Sequence, residues 1–268
     1  MYGVVDADTH IAEPEAMWQL IDEKMAPRRP VLVDLPDDTW FGDRNALWLI
    51  DGNIFPKPAG KGSYRLVTPS AQKAEKIRGD IAIASREVAN VEARIKDMDR
   101  LGVDVQVIYP TLFLVYITDD PELDTALSKA YNSWLGNACA KSQGRLKFVA
   151  VLPLRSIPES LKEMKRARDL GAVGIFFRGI EGDKTLDHPY FHPVYERLPS
   201  SACRSQFILA RARRGCCRTS NMRAITRSRM AARCQSSLFE ICSPTEFPRS
   251  FPACVSASSR LRRAGRRL

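Results

Sequence analysis

The feature that most constrains this chain is a regular alternation of helix-period and strand-period segments that begins at Ser85 and runs to Phe177. Val88, Val91, Ile95, Met98 and Leu101 recur at helical spacing up to Gly102, which stands where a capping glycine belongs, and Val103–Ile108 follows as a strand. The unit then repeats. Pro121–Lys141 predicts a helix with Leu123, Leu127, Ala130, Tyr131, Trp134 and Leu135 toward a core, and Leu146–Leu152 is the next strand. Pro158–Leu170 predicts a third helix closed by Gly171, and Ala172–Phe177 a further strand. Strands rich in Val, Ile and Phe between helices of this length are parallel βα units buried on both faces, so the fold class is α/β. Such units build either a doubly wound sheet or a (β/α)8 barrel. No glycine-rich phosphate turn follows the first strand, and polar residues gather at the strand ends, which favours the barrel.

That first strand ends in Val4-Val5-Asp6-Ala7-Asp8-Thr9-His10. Simple alternation sends Asp6, Asp8 and His10 to one face. An i, i+2 carboxylate and imidazole on a strand offer two ligands to a divalent cation such as zinc, which takes neutral imidazole nitrogen and carboxylate oxygen. The alternative is a strand end whose Asp and Thr cap the next turn and whose His is a surface residue. Downstream, Glu15–Met25 predicts a short helix with Met17, Leu20 and Ile21 on one face. Residues 28–79 break into short apolar pieces and predict a flap beside the first strand. In it Ala46–Ile50 before Asp51-Gly52-Asn53 is one arm of a hairpin, and Trp40 and Trp48 are flap core.

Five segments, taken in order, resemble the amidohydrolase-related family, the branch of the amidohydrolase superfamily that includes aminocarboxymuconate-semialdehyde decarboxylase and the resorcylate decarboxylases. They are Val4–His10, Ile95–Val103, Gly144–Leu154, Leu170–Ile175 and Leu186–Val194. The resemblance spans about residues 3–198. It implies a metal-dependent TIM barrel acting as a hydrolase or carboxy-lyase on a small carboxylated or carbonyl substrate, with one divalent ion, zinc, and homo-oligomers in the intact family. It also implies that Asp8 and His10 are metal ligands, the remaining ligands being a histidine on the fifth strand and an aspartate on the eighth. Arg178, at the end of the fourth strand, could hold a substrate carboxylate through its planar fork, or form a salt bridge in the barrel mouth. His188 and His192 stand in a proline-flanked turn and are loop residues.

Composition then divides the chain near Leu198. Residues 1–198 carry 26 Lys+Arg against 29 Asp+Glu, whereas residues 199–268 carry 15 against 2, with six of the seven cysteines and no histidine, lysine, tyrosine or tryptophan. The expected domains are therefore 1–198, the first four βα units of the barrel, and 199–268, an Arg/Ser/Cys-rich tail. One explanation of the tail is a natural basic segment that binds nucleic acid. A zinc knuckle is rejected because the cysteines lack the required pairs. The third, which we adopt, is a shifted reading frame. Phe207 ends in C or T and Ile208 begins AT, so the shifted codon reads His or Tyr, within a permitted Val-His-x-Gly that is similar to the family's fifth strand. Glu246–Leu261 likewise permits a segment similar to its sixth-strand region. Only 12 tail residues are Leu, Ile, Val or Phe, too few to offset the entropy of ordering, so the tail is expected to have no fold of its own. With the proton-transferring aspartate absent, the chain as translated is expected to be inactive. No window is apolar enough for a membrane span and no leader pattern opens the chain, so the expected compartment is the cytoplasm.

Overall fold

The structure is a computed structural model that describes residues 3–36, 46–57 and 82–198. Its principal sheet contains four strands, β1 (Val5–His10), β5 (Val105–Tyr109), β6 (Leu146–Val151) and β7 (Gly174–Phe176), paired in parallel in that order. Between them run α1 (Ile83–Arg86) and α2 (Val91–Leu101), then α3 (Pro121–Ala140), then α4 (Ile157–Asp169). Spatial order follows chain order, as successive barrel strands must and as a sheet that reverses at a switch point does not. This is the α/β architecture of the first four units of a (β/α)8 barrel.

Each helix starts and stops where its sequence supplies the chemistry. Asn90 caps α2 by accepting from the Ala93 N–H at 3.0 Å, and Asp120 caps α3 by accepting from the Glu122 N–H at 2.8 Å, with Pro121 in the first turn. Gly102 ends α2 at φ +69°, a left-handed geometry in which a side chain would be strained. Leu123, Leu127, Ala130, Tyr131 and Leu135 are buried on α3 as the periodicity requires, while Trp134 is half-buried and donates its indole N–H to the Glu87 carbonyl.

Asn132, fully buried on α3, carries out a ladder's work. It donates to the Val151 carbonyl at 2.8 Å and accepts from the Val151 N–H at 3.0 Å, while its amide also reaches Glu163. These bonds lie past the last residue, Phe148, that β6 pairs with β5.

Three expectations fail locally. Glu15–Met25 is not one helix but two 3-10 helices, Glu15–Leu20 and Glu23–Arg28, because Ile21 turns to an extended conformation between them. The change of period buries Met17 and Trp18 and leaves Leu20 42% exposed. Val88 lies outside α2, in a turn at φ +53°, and Leu101 faces solvent.

In the 28–79 region, β2 (Val31–Asp34), β3 (Ala46–Ile50) and β4 (Asn53–Pro56) form an antiparallel sheet. Asp51 and Gly52 both take positive φ, the tight turn that matches strand twist. Trp48 is fully buried, edge to face with Trp18 at 6.0 Å, and Trp40 lies outside the described residues, as does the whole of 199–268. After β7 the chain forms the small pair β8 (Ile180–Glu181) and β9 (Lys184–Thr185), then α5 (His192–Glu196). Among the described residues no helix is long and apolar enough to cross a membrane.

Candidate metal centre

The register of β1 decides where its polar side chains point. Asp6 pairs with Gln106 and Thr9 with Ile108, so β1 fits one more residue into this stretch than β5 does. The bulge breaks the alternation expected for Asp6, Asp8 and His10. Asp6 turns toward α2 and accepts from the Gln106 amide at 3.1 Å, while buried Arg94 donates to Gln106 Oε1 at 2.8 Å and to Thr9 Oγ1 at 2.9 Å. His10 instead sides with Tyr109, ring centroids 6.0 Å apart. The Asp6 carboxylate, which also accepts from the Asp8 N–H at 3.3 Å, thus faces Gln106, and Arg94 contacts the bulge from its helix side.

On the other side, Asp8 Oδ1 and His10 Nε2 stand 3.6 Å apart, with Asp8 largely exposed and His10 one-third exposed. His10 Nδ1 lies 2.8 Å from the Pro110 carbonyl oxygen. A carbonyl can only accept, so Nδ1 carries the hydrogen and, in the neutral ring, Nε2 presents its lone pair beside the Asp8 carboxylate. An anionic oxygen and a lone pair side by side suit a shared cation. Two atoms each about 2.05 Å from a tetrahedral ion lie about 3.3 Å apart, close to the separation found. Among the described residues no third His, Cys, Asp or Glu completes a cluster around them.

Behind the pair, the loops after β1 and β5 are laced together. Glu13 Oε1 accepts from the N–H groups of Thr111 at 2.7 Å and Leu112 at 2.9 Å, and Thr111 Oγ1 donates to the Ile11 carbonyl. Glu13 is 1% exposed and its Oε2 has no hydrogen-bond partner among the described residues. Burial pushes its carboxyl up to about 7, against the pull of those backbone donors. Burial and then the charge of Asp8 push the Tyr109 phenol up to about 12, so it stays protonated beside the pair.

Arg178, at the mouth after β7, is buried. Its Nε and NH2 groups donate to Glu181 Oε2 at 3.0 and 2.9 Å, and NH1 donates to the Phe113 carbonyl at 3.0 Å. Its guanidinium also lies over the Tyr116 ring. Asp124, close enough to feel Arg178, is nevertheless pushed up to about 7 by burial. The structure thus brings Asp8 and His10 together and holds Arg178 in a network with Glu181. His188 caps the turn Pro189–Phe191, its Nδ1 accepting from the Tyr190 N–H, and His192 opens α5. A cavity of about 310 Å³ between the Glu23–Arg28 helix and α3, lined by Met25, Glu122, Thr125 and Glu159, includes none of Asp8, His10 or Arg178. Sequence reasoning missed Arg94, Gln106 and Glu13. Only their places, after β1 for Glu13, on β5 for Gln106 and on the next helix facing β1 for Arg94, could have signalled them.

A parallel sheet of βα units in chain order, with titratable groups at the carboxyl ends of its strands, has the architecture of the first half of a (β/α)8 barrel. The chain belongs to the amidohydrolase family, whose pattern (Amidohydro_2, amidohydrolase) matches residues 5–200. No curated protein matches the chain. Among solved structures, an amidohydrolase from Mycobacterium avium subsp. paratuberculosis is similar with a TM-score of 0.55 at 19% identity, over 78% of this chain and 59% of that one. The 2,6-dihydroxybenzoate decarboxylase from Rhizobium gives 0.43 at 19% identity, over 78% and 50%. A 5-carboxyvanillate decarboxylase from Novosphingobium aromaticivorans, solved with bound manganese, gives 0.46 at 18% identity, over 78% and 50%. The chain spans about half to three-fifths of the length of these proteins.

Proposed function

We propose that residues 3–198 are the N-terminal half of a cytoplasmic, metal-dependent hydrolase or carboxy-lyase acting on a small carboxylated or carbonyl substrate. The observation that carries this is the Asp8–His10 pair at the end of β1, with Nε2 freed for a cation by the Pro110 carbonyl. Asp8 and His10 would hold one divalent ion, zinc by the chemistry of the donor set. When bound, such an ion polarises a substrate carboxylate or carbonyl or lowers the pKa of a coordinated water. Arg178 holds the substrate carboxylate through its fork, which requires it to share or exchange Glu181.

In this reading residues 199–268 are translated out of frame. They contain neither the histidine nor the aspartate that the later strands would supply, so the described residues offer two ligands where a catalytic centre of this kind uses at least three, and the chain turns over no substrate. The experiment expresses this chain beside a version with its frame restored upstream of codon 207, and measures bound metal and turnover of carboxylated aromatics in both. Stoichiometric metal and turnover in the restored chain, against weak and freely exchanging metal and no turnover in this one, with metal binding lost from both on His10→Ala, are expected. Stoichiometric metal and comparable turnover in the unrestored chain would overturn the proposal. The excess of positive charge after Leu198 favours a second reading, nucleic-acid binding. DNA affinity that falls steeply with salt and vanishes with removal of 199–268 would select it.

A further inference from the structure

Two side chains grip one peptide group. The peptide between Pro110 and Thr111 presents its carbonyl oxygen to His10 Nδ1 at 2.8 Å and its N–H to Glu13 Oε1 at 2.7 Å. An amide is conjugated, so an acceptor on its N–H pushes electron density toward its carbonyl oxygen, and hydrogen bonds in series strengthen one another in a poorly polarisable interior. The Pro110 oxygen then holds the hydrogen on Nδ1 more firmly, and Nε2 becomes the better donor to a cation. Imidazoles that bind metals are commonly backed by a carboxylate directly; here the same chain has a peptide inserted. Glu13 is committed to this task. One oxygen serves the Thr111 and Leu112 N–H groups, and the other is buried with no hydrogen-bond partner among the described residues, a costly residue to retain for packing alone.

We infer that Glu13 is a positioning residue for the Asp8–His10 centre, acting through the Pro110–Thr111 peptide to fix His10 as its Nδ1–H tautomer and to strengthen Nε2 as a ligand. The part that concerns a cation rests on the function proposed above.

The chain has three histidines, and one provides an internal reference, since His188 Nδ1 accepts a hydrogen bond and its neutral ring must carry the hydrogen on Nε2. Long-range proton–nitrogen spectra of the full-length ¹⁵N-labelled chain at about pH 8, where imidazole is neutral, report both tautomers directly. His10 is expected as Nδ1–H and His188 as Nε2–H. Glu13→Gln keeps an acceptor for Thr111 but removes the charge. It should lower the Nδ1–H share at His10 and weaken Mn²⁺ binding by about three- to tenfold, at or below the low end for a direct partner; Glu13→Ala should do more. His188 should be unchanged in both variants. An unaltered His10 tautomer with unaltered Mn²⁺ affinity in Glu13→Gln, or a change shared equally by His188, would overturn the inference. Should the wild-type chain show no His10-dependent Mn²⁺ binding while Glu13→Gln still shifts the His10 tautomer, the coupling stands and the metal function falls.

Discussion

Arg94→Met tests whether the bulge in β1 is held from the α2 side. The guanidinium, 7% exposed, donates to Gln106 Oε1, Thr9 Oγ1 and the Ser85 carbonyl. Methionine fills most of the volume and offers no donor. Gln106 Oε1 is then stranded in a buried site, at about 1–3 kcal/mol. The Ser85 carbonyl keeps the Val88 N–H, and the Thr9 hydroxyl can rotate, so each of those losses is about 0.5 kcal/mol. Against this, the variant no longer buries a charge, which returns part of the cost. The net expectation is a loss of about 2 kcal/mol, a large share of the stability of a typical domain. Urea titration followed by tryptophan fluorescence measures it, with an unchanged slope as the check that the unfolded state is the same. The second readout is amide exchange, which should quicken at Thr9 and His10 and leave α3 and β6 unaffected, since Arg94 touches neither. Unchanged stability, or faster exchange spread evenly over the sheet, would refute the idea that Arg94 sets the bulge.

Asn132→Ala should cost about 3–5 kcal/mol in the same titration, because it leaves the Val151 N–H, the Val151 carbonyl and a Glu163 oxygen without this partner in a sealed interior. Glu13 and Asp124 both hold their protons up to about 7 when folded. Carboxyls raised in this way lend stability that is complete below their unfolded values and is lost as pH rises to the folded ones. The urea midpoint should therefore fall between about pH 4 and 7 and level off above, by up to about 3–4 kcal/mol per group, and Glu13→Gln or Asp124→Asn should each flatten part of that slope. Gly102→Ala places a side chain at φ +69° and should lower the thermal midpoint, at a cost of about 1 kcal/mol or somewhat more.

The parts of the fold that were legible in the sequence are those whose physics is local. Helix α3 announces itself because Asp120, Pro121 and the spacing of Leu123, Leu127, Tyr131 and Leu135 all act within a few turns. The Asp51-Gly52 turn is fixed by two adjacent residues that both accept positive φ. The site is otherwise. Alternation along β1 predicts a single polar face, and the bulge that divides it is contacted by Arg94, 85 residues further on in the case of Thr9. Within Asp6–His10 the Asp8 N–H donates to Asp6 Oδ1 at 3.3 Å, and spacing alone does not say that a distant guanidinium braces the same irregularity. Arg178 shows the opposite limit. Its partner Glu181 is only three residues away, yet spacing alone could not say whether the fork would close on that neighbour or stay open to a ligand, because the choice turns on how far burial and the Phe113 carbonyl fix the side chain. Glu13 carries no local signal of a role, since what gives it one is a peptide on another strand's loop. A consequence follows for reading such sites. In a βα barrel the polar groups at strand ends are visible in the sequence, whereas the groups that contact and orient them come from the next unit along, so a half-barrel that retains β1, α2 and β5 retains the Asp8–His10 pair together with its surroundings.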